Sequence, residues 1–485
     1  MPNINGHTCR VLATAVALAF LLALAAGGGS LRAATPSQQT ADGAIKLISA
    51  GAESKFPEAV RFFAEVESQN AIQDIRVNFS EGARGVGQYN YIDLPKDATG
   101  HVSGEYLQKI NTPDRYMPPG SRVRFSFEVT DKAGNKLTTD EQELIVTDAR
   151  PKFKWETVSE GPITVYYSGP ILTRAQRVAD AANELLKKMA PVTGAETKTP
   201  VTVTLYANNA DMIGAIQTST AATARELVTE GQAFAANNVV LVLAGRRDVG
   251  TISHELTHVL VGRAAGLGTF VPTWLNEGLA EYGNLDPGIS YDRFLDWGVD
   301  TNRITPLWKL QSFPGDPNLI ILSYGQARST VNYMITKYGP EKMAKLLATI
   351  GQSRPVESAL QTVYGFGLRQ LDAGWREHVG AEPYVEPTPA PTPTPGKQAT
   401  KVSPTLAPYS LTPQAGQSVD APTPTATAVP PTVTPLPVPE PTSAPPAKGG
   451  GCGRSSSRGV EASSLAGLLV LGAFAASRVA RRRRQ

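Results

Sequence analysis

The segment His254-Glu255-Leu256-Thr257-His258 has the residue types and spacing for metal chemistry. On a helix, residues four apart share a face, so two neutral imidazoles placed this way reach one metal ion. The carboxylate next to the first histidine then projects toward the open coordination position, where a water would sit. A catalytic zinc takes three protein ligands and leaves one position free, so a third ligand has to come from elsewhere. The segment Trp274-Leu275-Asn276-Glu277-Gly278-Leu279-Ala280-Glu281-Tyr282 offers one. Eighteen residues separate His258 from Glu277, enough for the end of one helix, a turn around Gly266–Gly268 and an antiparallel second helix. Glu277 and Glu281 then lie on one face of that second helix, pointing back at the first. With only five histidines in the chain, this pairing around a glutamate is improbable by chance. The plainer alternative is two buried helix histidines with an exposed glutamate between them.

His254 to His258, followed by Glu277 in an Asn-Glu-Gly-Leu-Ala-Glu-Tyr setting, resembles the gluzincins. The spacing and the Trp-Leu-Asn-Glu-Gly run are most similar to the aminopeptidase-N-like families of that peptidase clan. The resemblance spans roughly residues 155–382, with its specificity in 250–283. It implies a zincin fold, one zinc ion held by His254, His258 and Glu277, and hydrolysis of peptide bonds in peptide or protein substrates. Zinc lowers the pKa of a bound water to about 7 and polarises a carbonyl, and Glu255 is placed to accept the proton. Glu281 is a candidate partner that orients a ligating histidine; its alternative is a solvated helix charge. Asn276 is expected only to fix the local backbone.

A tetrahedral intermediate also needs a hydrogen-bond donor. Tyr324, in Ser323-Tyr324-Gly325-Gln326-Ala327 ahead of a helix, is the candidate, since the family uses a tyrosine in a similar position; a packing tyrosine is the alternative. His101 and His378 lie far from the motif in sequence. The strand Asn238–Ala244 is expected to rim the cleft and pair with an extended substrate, as its counterpart does in zincins, and Gly231–Ala235 to line the same rim. This stretch lacks the glutamate with which aminopeptidases grip a free amino terminus, which weighs against exopeptidase action.

Residues 151–382 read as α+β. Strand candidates are Ile163–Tyr167, Val201–Tyr206 and Asn238–Ala244; helix candidates are Arg174–Met189, Thr251–Ala264, Trp274–Tyr282, Ala327–Tyr338, Pro340–Ile350 and Leu368–His378. Residues 42–150 read as an all-β module, with alternation at Ile72–Phe79 and Val123–Val129 and a further strand around Glu143–Thr147. Short strands over this length suggest an immunoglobulin-like or fibronectin-like sandwich. It carries no chemical constellation and is expected to position or bind.

The two ends place the body outside the cytoplasm. Residues 1–34 read as a signal peptide: Arg10, an apolar run from Val11 to Ala26, then small residues. An uncleaved anchor is the alternative. Residues 383–453 are a Pro/Thr-rich tract that buries too little apolar surface to fold and serves as a disordered stalk. Residues 460–485 end in an apolar stretch from Leu465 to Ala476 and an arginine cluster, a hydrophobic anchor to the membrane. Following Gly451-Cys452-Gly453, this order resembles the tripartite sorting signals of bacterial surface proteins.

The formal charge of +3 comes from these ends. Without the seven arginines of the two terminal segments, 39 basic residues face 43 acidic ones, and a mildly acidic body gives no reason to expect a nucleic-acid partner. The cysteines, Cys9 and Cys452, lie outside the body, which must therefore be held by its core. A rival reading is a catalytically inactive zincin-fold adhesion or scaffold protein, against which the intact His254, Glu255, His258 and Glu277 argue. Zinc hydrolysis of a non-peptide amide or ester is a third.

Overall fold

The computed structural model describes residues 44–386 apart from 83–84, 96–98, 113–114 and 217–229. The signal segment, the anchor and all but the first few residues of the stalk lie outside the described residues.

The N-terminal module contains β1 (Ile45–Lys55), β2 (Ala59–Ser68), β3 (Ile72–Glu81), β4 (Val86–Tyr91), β5 (Gly100–Lys109), β6 (Asn111–Thr112), β7 (Arg115–Tyr116), β8 (Arg122–Asp131), β9 (Lys136–Thr138) and β10 (Gln142–Ile145). One sheet has the order β1-β2-β5; the other runs β10-β8-β3-β4 with β9 paired to β8, and β6 and β7 pair with each other. Period-two alternation buries Val60, Phe62 and Val66 of β2, Ile75, Val77 and Phe79 of β3, and Val123, Phe125 and Phe127 of β8 in one core. Phe62 lies 5.1 Å from Phe79 and 5.6 Å from Phe125, ring to ring, between the sheets. The N-terminal region is built of β-sheet, as its alternation suggests, but β1 and β2 precede the first strand legible in the sequence. The small residues Ser49-Ala50-Gly51-Ala52 and a register shift between Leu47 and Ser49 blunt the alternation of β1.

The second half opens with β11 (Trp155–Glu160), β12 (Ile163–Ser168), α1 (Leu172–Thr193), β13 (Val201–Tyr206), α2 (Asn209–Ile213), β14 (Gly231–Phe234) and β15 (Val239–Leu243). These strands form a sheet of order β11-β12-β13-β15-β14. β12, β13 and β15 run parallel, while β11 and β14 are antiparallel edges. Then follow α3 (Asp248–Ala265), α4 (Thr273–Gly283), α5 (Tyr291–Asp300), α6 (Pro317–Tyr338), α7 (Pro340–Ile350), α8 (Val356–Tyr364) and α9 (Leu368–Val379).

The central strands are apolar on both faces because both faces are covered. Val203, Leu205, Val240 and Val242 face α1 and α3 in the helical core. Tyr206, Val239 and Leu241 join the core of the β module instead. Polar contacts seal this junction: the Thr204 hydroxyl donates to the Pro119 carbonyl (3.0 Å), and the Tyr206 hydroxyl donates to buried Asp148 (3.0 Å), which also accepts from Arg150.

Two expectations are corrected. The stretch Asn238–Ala244 forms β15, an interior strand between β13 and β14; the sheet edge next to α3 is β14. A fully apolar run marks a strand buried on both sides, and an edge strand that carries a glycine gives a weaker signal. The helix expected from Ala327 starts ten residues earlier, at Pro317, so Tyr324 lies within it. The Asp316 carboxylate caps this helix by accepting from Asn318 N and Leu319 N (2.9 and 3.0 Å), and Pro317 fits its first turn.

Candidate metal centre

α3 carries His254 and His258 one turn apart, and α4 carries Glu277 and Glu281 one turn apart. Asp248 fixes the start of α3. Its buried carboxylate accepts from Arg174 (3.1 Å), Arg177 (2.7 Å) and the amide of Gly245 (3.3 Å), tying α3 to α1. α4 is locked between α3 and α6 by Trp274, Leu275 and Leu279, all fully buried. Gly278 permits the approach of α6, since a Cβ there would lie 2.5 Å from the Ala327 carbonyl oxygen.

The result is a convergence of three lone-pair-bearing atoms. His254 Nε2 lies 3.2 Å from His258 Nε2 and 3.4 Å from Glu277 Oε2, and His258 Nε2 lies 3.7 Å from the same oxygen. The outer ring nitrogens are already engaged. His254 Nδ1 donates to Glu281 Oε1 at 2.9 Å, and His258 Nδ1 donates to Asn276 Oδ1 at 3.1 Å. With both Nδ1 atoms donating, both Nε2 atoms of neutral imidazoles are acceptors. Two acceptors and a carboxylate oxygen at these separations repel one another unless a proton or a cation lies among them.

Four ligands at 2.0–2.1 Å around a tetrahedral ion stand about 3.3–3.4 Å apart, and the three observed edges bracket that value. Donor set and spacing therefore fit zinc. The charge balance points the same way. Burial disfavours a charged His254, but Glu277, Glu281 and Glu255 outweigh it and raise its pKa to about 10. Burial likewise pushes Glu277 up, and the two histidines more than reverse it, leaving its pKa lowered. The pocket thus attracts positive charge.

Glu255 stands half-buried between the imidazoles and β14. Gly231 makes room for it: a Cβ at 231 would come within 2.7 Å of Glu255 Cγ. The Tyr324 ring lies 6.4 Å from that of His254 and 4.8 Å from that of Phe313. Burial first, then Glu277, Glu281 and Glu255, raise the pKa of Tyr324, so it keeps its proton. His101 pairs with Glu65 in the β module and His378 stacks on Tyr333, so neither joins the cluster.

The residues foreseen as ligands are thus brought together, with Glu255, Glu281 and Tyr324 around them. Glu281 is 5% exposed and faces His254, not solvent. Asn276 does more than expected, contacting His258 directly; its position one residue before Glu277 was the available signal. Sequence reasoning missed Tyr291, 6% exposed at the start of α5, whose pKa is raised by burial and by Glu281. Nothing in its sequence surroundings marks it.

Residues 181–381 match the family described as the Peptidase MA superfamily, which supports a zincin-like peptidase over that span. No curated protein matches the chain. Among solved structures, the M1 zinc metallopeptidase from Deinococcus radiodurans is similar at 13% identity and TM-score 0.29, covering 69% of this chain and 92% of its own. BhCBM56 is similar at 14% identity and TM-score 0.16, covering 23% of this chain and 99% of its own. At scores this low, the assignment of class is carried by the family match together with the geometry of the cluster.

Proposed function

We propose that the chain is a gluzincin-type, one-zinc peptidase acting outside the cytoplasm, with the ion held by His254, His258 and Glu277. The observation that carries this is the meeting of three acceptor atoms 3.2–3.7 Å apart, each histidine oriented from behind by its own partner. When bound, zinc supplies Lewis acidity, lowering the pKa of a water to about 7 and polarising the scissile carbonyl. Glu255 takes the proton of the attacking water and passes it to the leaving nitrogen. The Tyr324 hydroxyl donates a hydrogen bond to the developing oxyanion. β14, with one edge unpaired in the sheet, aligns an extended peptide by main-chain hydrogen bonds. The inactive-scaffold reading is not favoured, because a decayed site would have no reason to keep Glu255 and both orienting groups.

The sequence readings of 1–34 as an export segment, 383–453 as a stalk and 460–485 as an anchor are what support action at the cell surface. Among the described residues no helix is long and apolar enough to cross a membrane. The β module, with β1, β2 and β5 in one sheet and β3, β4, β8 and β10 in the other, fits an immunoglobulin-type sandwich.

The test is metal analysis of the purified chain with digestion of casein and broad peptide mixtures, with and without chelator. Glu255→Gln should retain zinc while turnover drops by about 10²–10⁴. A wild-type protein that holds zinc but cleaves no peptide would refute the peptidase assignment, and equal cleavage by wild type and Glu255→Gln would refute the mechanism.

A further inference from the structure

The outer face of the β10-β8-β3-β4 sheet displays a feature that the peptidase reading does not use. Tyr89 and Tyr91 are 62% and 49% exposed. They share one face of β4, an edge strand without a charged residue. Edge strands ordinarily carry charge as protection against pairing. The two rings meet edge to face at 6.0 Å and 82°. The Arg76 guanidinium lies 5.6 Å from the Tyr89 centroid and is itself held by Glu128 at 2.7 Å. The pair is therefore braced in place as a corner of two aromatic surfaces.

The register continues this face across the sheet, with Tyr89 opposite Asn78 and Asn78 opposite Ser126. Beside Tyr89 lies a hollow of about 380 Å³ whose walls include Asn78, Ser80, Gly87, Arg124 and Ser126, at the lower end of the range for small-molecule sites. Gly87 borders it, and a Cβ there would project into open space. No aliphatic side chain lines the hollow. Among the described residues, the side chains of Asn78, Ser80 and Ser126 make no hydrogen bond within the protein. Arg76 pairs with Glu128, which also holds Lys136, and Arg124 lies 3.7 Å from Glu143, which also holds Arg122; Glu141 adds a negative charge to the wall.

We propose that this face binds a neutral oligosaccharide. Tyrosine offers a flat apolar surface with a polar tip, which suits the C–H face of a pyranose. Asn78, Ser80 and Ser126 supply free donors and acceptors for its hydroxyls. An anionic ligand would meet Glu128, Glu141 and Glu143 among the basic side chains, and a protein partner would find Phe79 and Phe125 of the lining turned into the module's core and only the two tyrosines as exposed apolar surface. The position also bears on the peptidase half. At the end of β3, Gly82 has a positive φ of 65°, and a Cβ there would lie 2.5 Å from the Ala236 carbonyl oxygen, in the turn after β14. A sugar chain on this face is thus held by the same hairpin that abuts the strand bordering the metal centre. The binding function stands independently of the hydrolytic one.

The test measures retardation of the full chain in gels containing laminarin, glucomannan, galactomannan or xyloglucan, with polygalacturonate as the anionic comparator, followed by calorimetric titration of any polymer that retards it. At least one neutral polymer should bind. A Tyr89→Ala/Tyr91→Ala protein should bind it at least tenfold more weakly, while Tyr89→Phe/Tyr91→Phe should stay within a few-fold. Asn78→Ala/Ser126→Ala should weaken binding several-fold, which keeps the proposal testable if the tyrosine variants misfold. The proposal is overturned if no neutral polymer is bound, if polygalacturonate is preferred, or if the folded alanine variants bind like wild type. It is also overturned if loss of the tyrosines converts a dimer to a monomer without changing retardation, because the face would then be a self-association surface.

Discussion

Replacing Gly231 by alanine would set a methyl carbon 2.7 Å from Glu255 Cγ and 2.5 Å from Thr251 Cγ2. Carbon atoms pack at about 3.5–4.0 Å, so Thr251 must yield by about 1.0 Å and Glu255 by about 0.8 Å. β14 is paired to β15 on one side and Gly231 is its first residue, while α3 is pinned at its start by Asp248. The more compliant of the two is the Glu255 side chain, which swings from the position where it would meet the attacking water, while β-branched Thr251 takes up the rest of the clash. A misplacement of about 1 Å in a catalytic group costs up to about 10²-fold in rate, or about 2.7 kcal/mol of barrier. Gly231→Ala should therefore reduce kcat by about 10–100-fold with zinc content nearly unchanged and a melting temperature lowered by the overpacking at Thr251, about 1–3 kcal/mol. The assay is cleavage of a quenched fluorescent peptide that the wild type accepts, with metal stoichiometry measured on the same samples. Wild-type kcat in the variant would refute Glu255 as the base acting beside β14, and loss of metal together with activity would show that the clash reaches His254 instead.

Five further outcomes are expected. Glu281→Gln, which replaces the carboxylate behind His254, should weaken zinc affinity by about 10–100-fold in competition with a fluorescent chelator, and Asn276→Ala should cost less because it removes a neutral partner. Tyr324→Phe should lower kcat by about 10²–10³ with KM little changed if its hydroxyl serves the oxyanion; an unchanged kcat would leave it a packing residue. In the metal-free chain, His254 has its pKa raised from 6.5 to about 10, so the stability it contributes is complete below about pH 6.5 and is lost as pH rises toward 10. Melting of the chelated protein should accordingly drift downward from pH 7 to pH 10. Near pH 8, zinc uptake should release about one proton per ion, visible by calorimetry in buffers of different ionisation enthalpy.

The clustering of His254, His258 and Glu277 was legible because shared-ligand chemistry would impose spacing: four residues within α3 and eighteen between the helices leave little freedom. Helices with a clean apolar period were legible as well; α7 starts and ends at the expected Pro340 and Ile350. What escaped were features decided by tertiary partners. β15 reads as a strand, but its interior place depends on β14 pairing outside it. The first turns of α6 read as loop because Gly325 and the proline-rich approach obscured them, whereas the cap at Asp316 sets the actual start. α5 and α8 have no motif to mark them. Tyr291 is built into the centre by a loop that returns α5 to Glu281, which local pattern does not record.

The border near residue 150 divides two sequence patterns without dividing two objects. Because Val239, Leu241 and Tyr206 belong to the core of the β module, the module forms one wall of the peptidase. Any replacement of the module would have to present a matching apolar surface to β13 and β15.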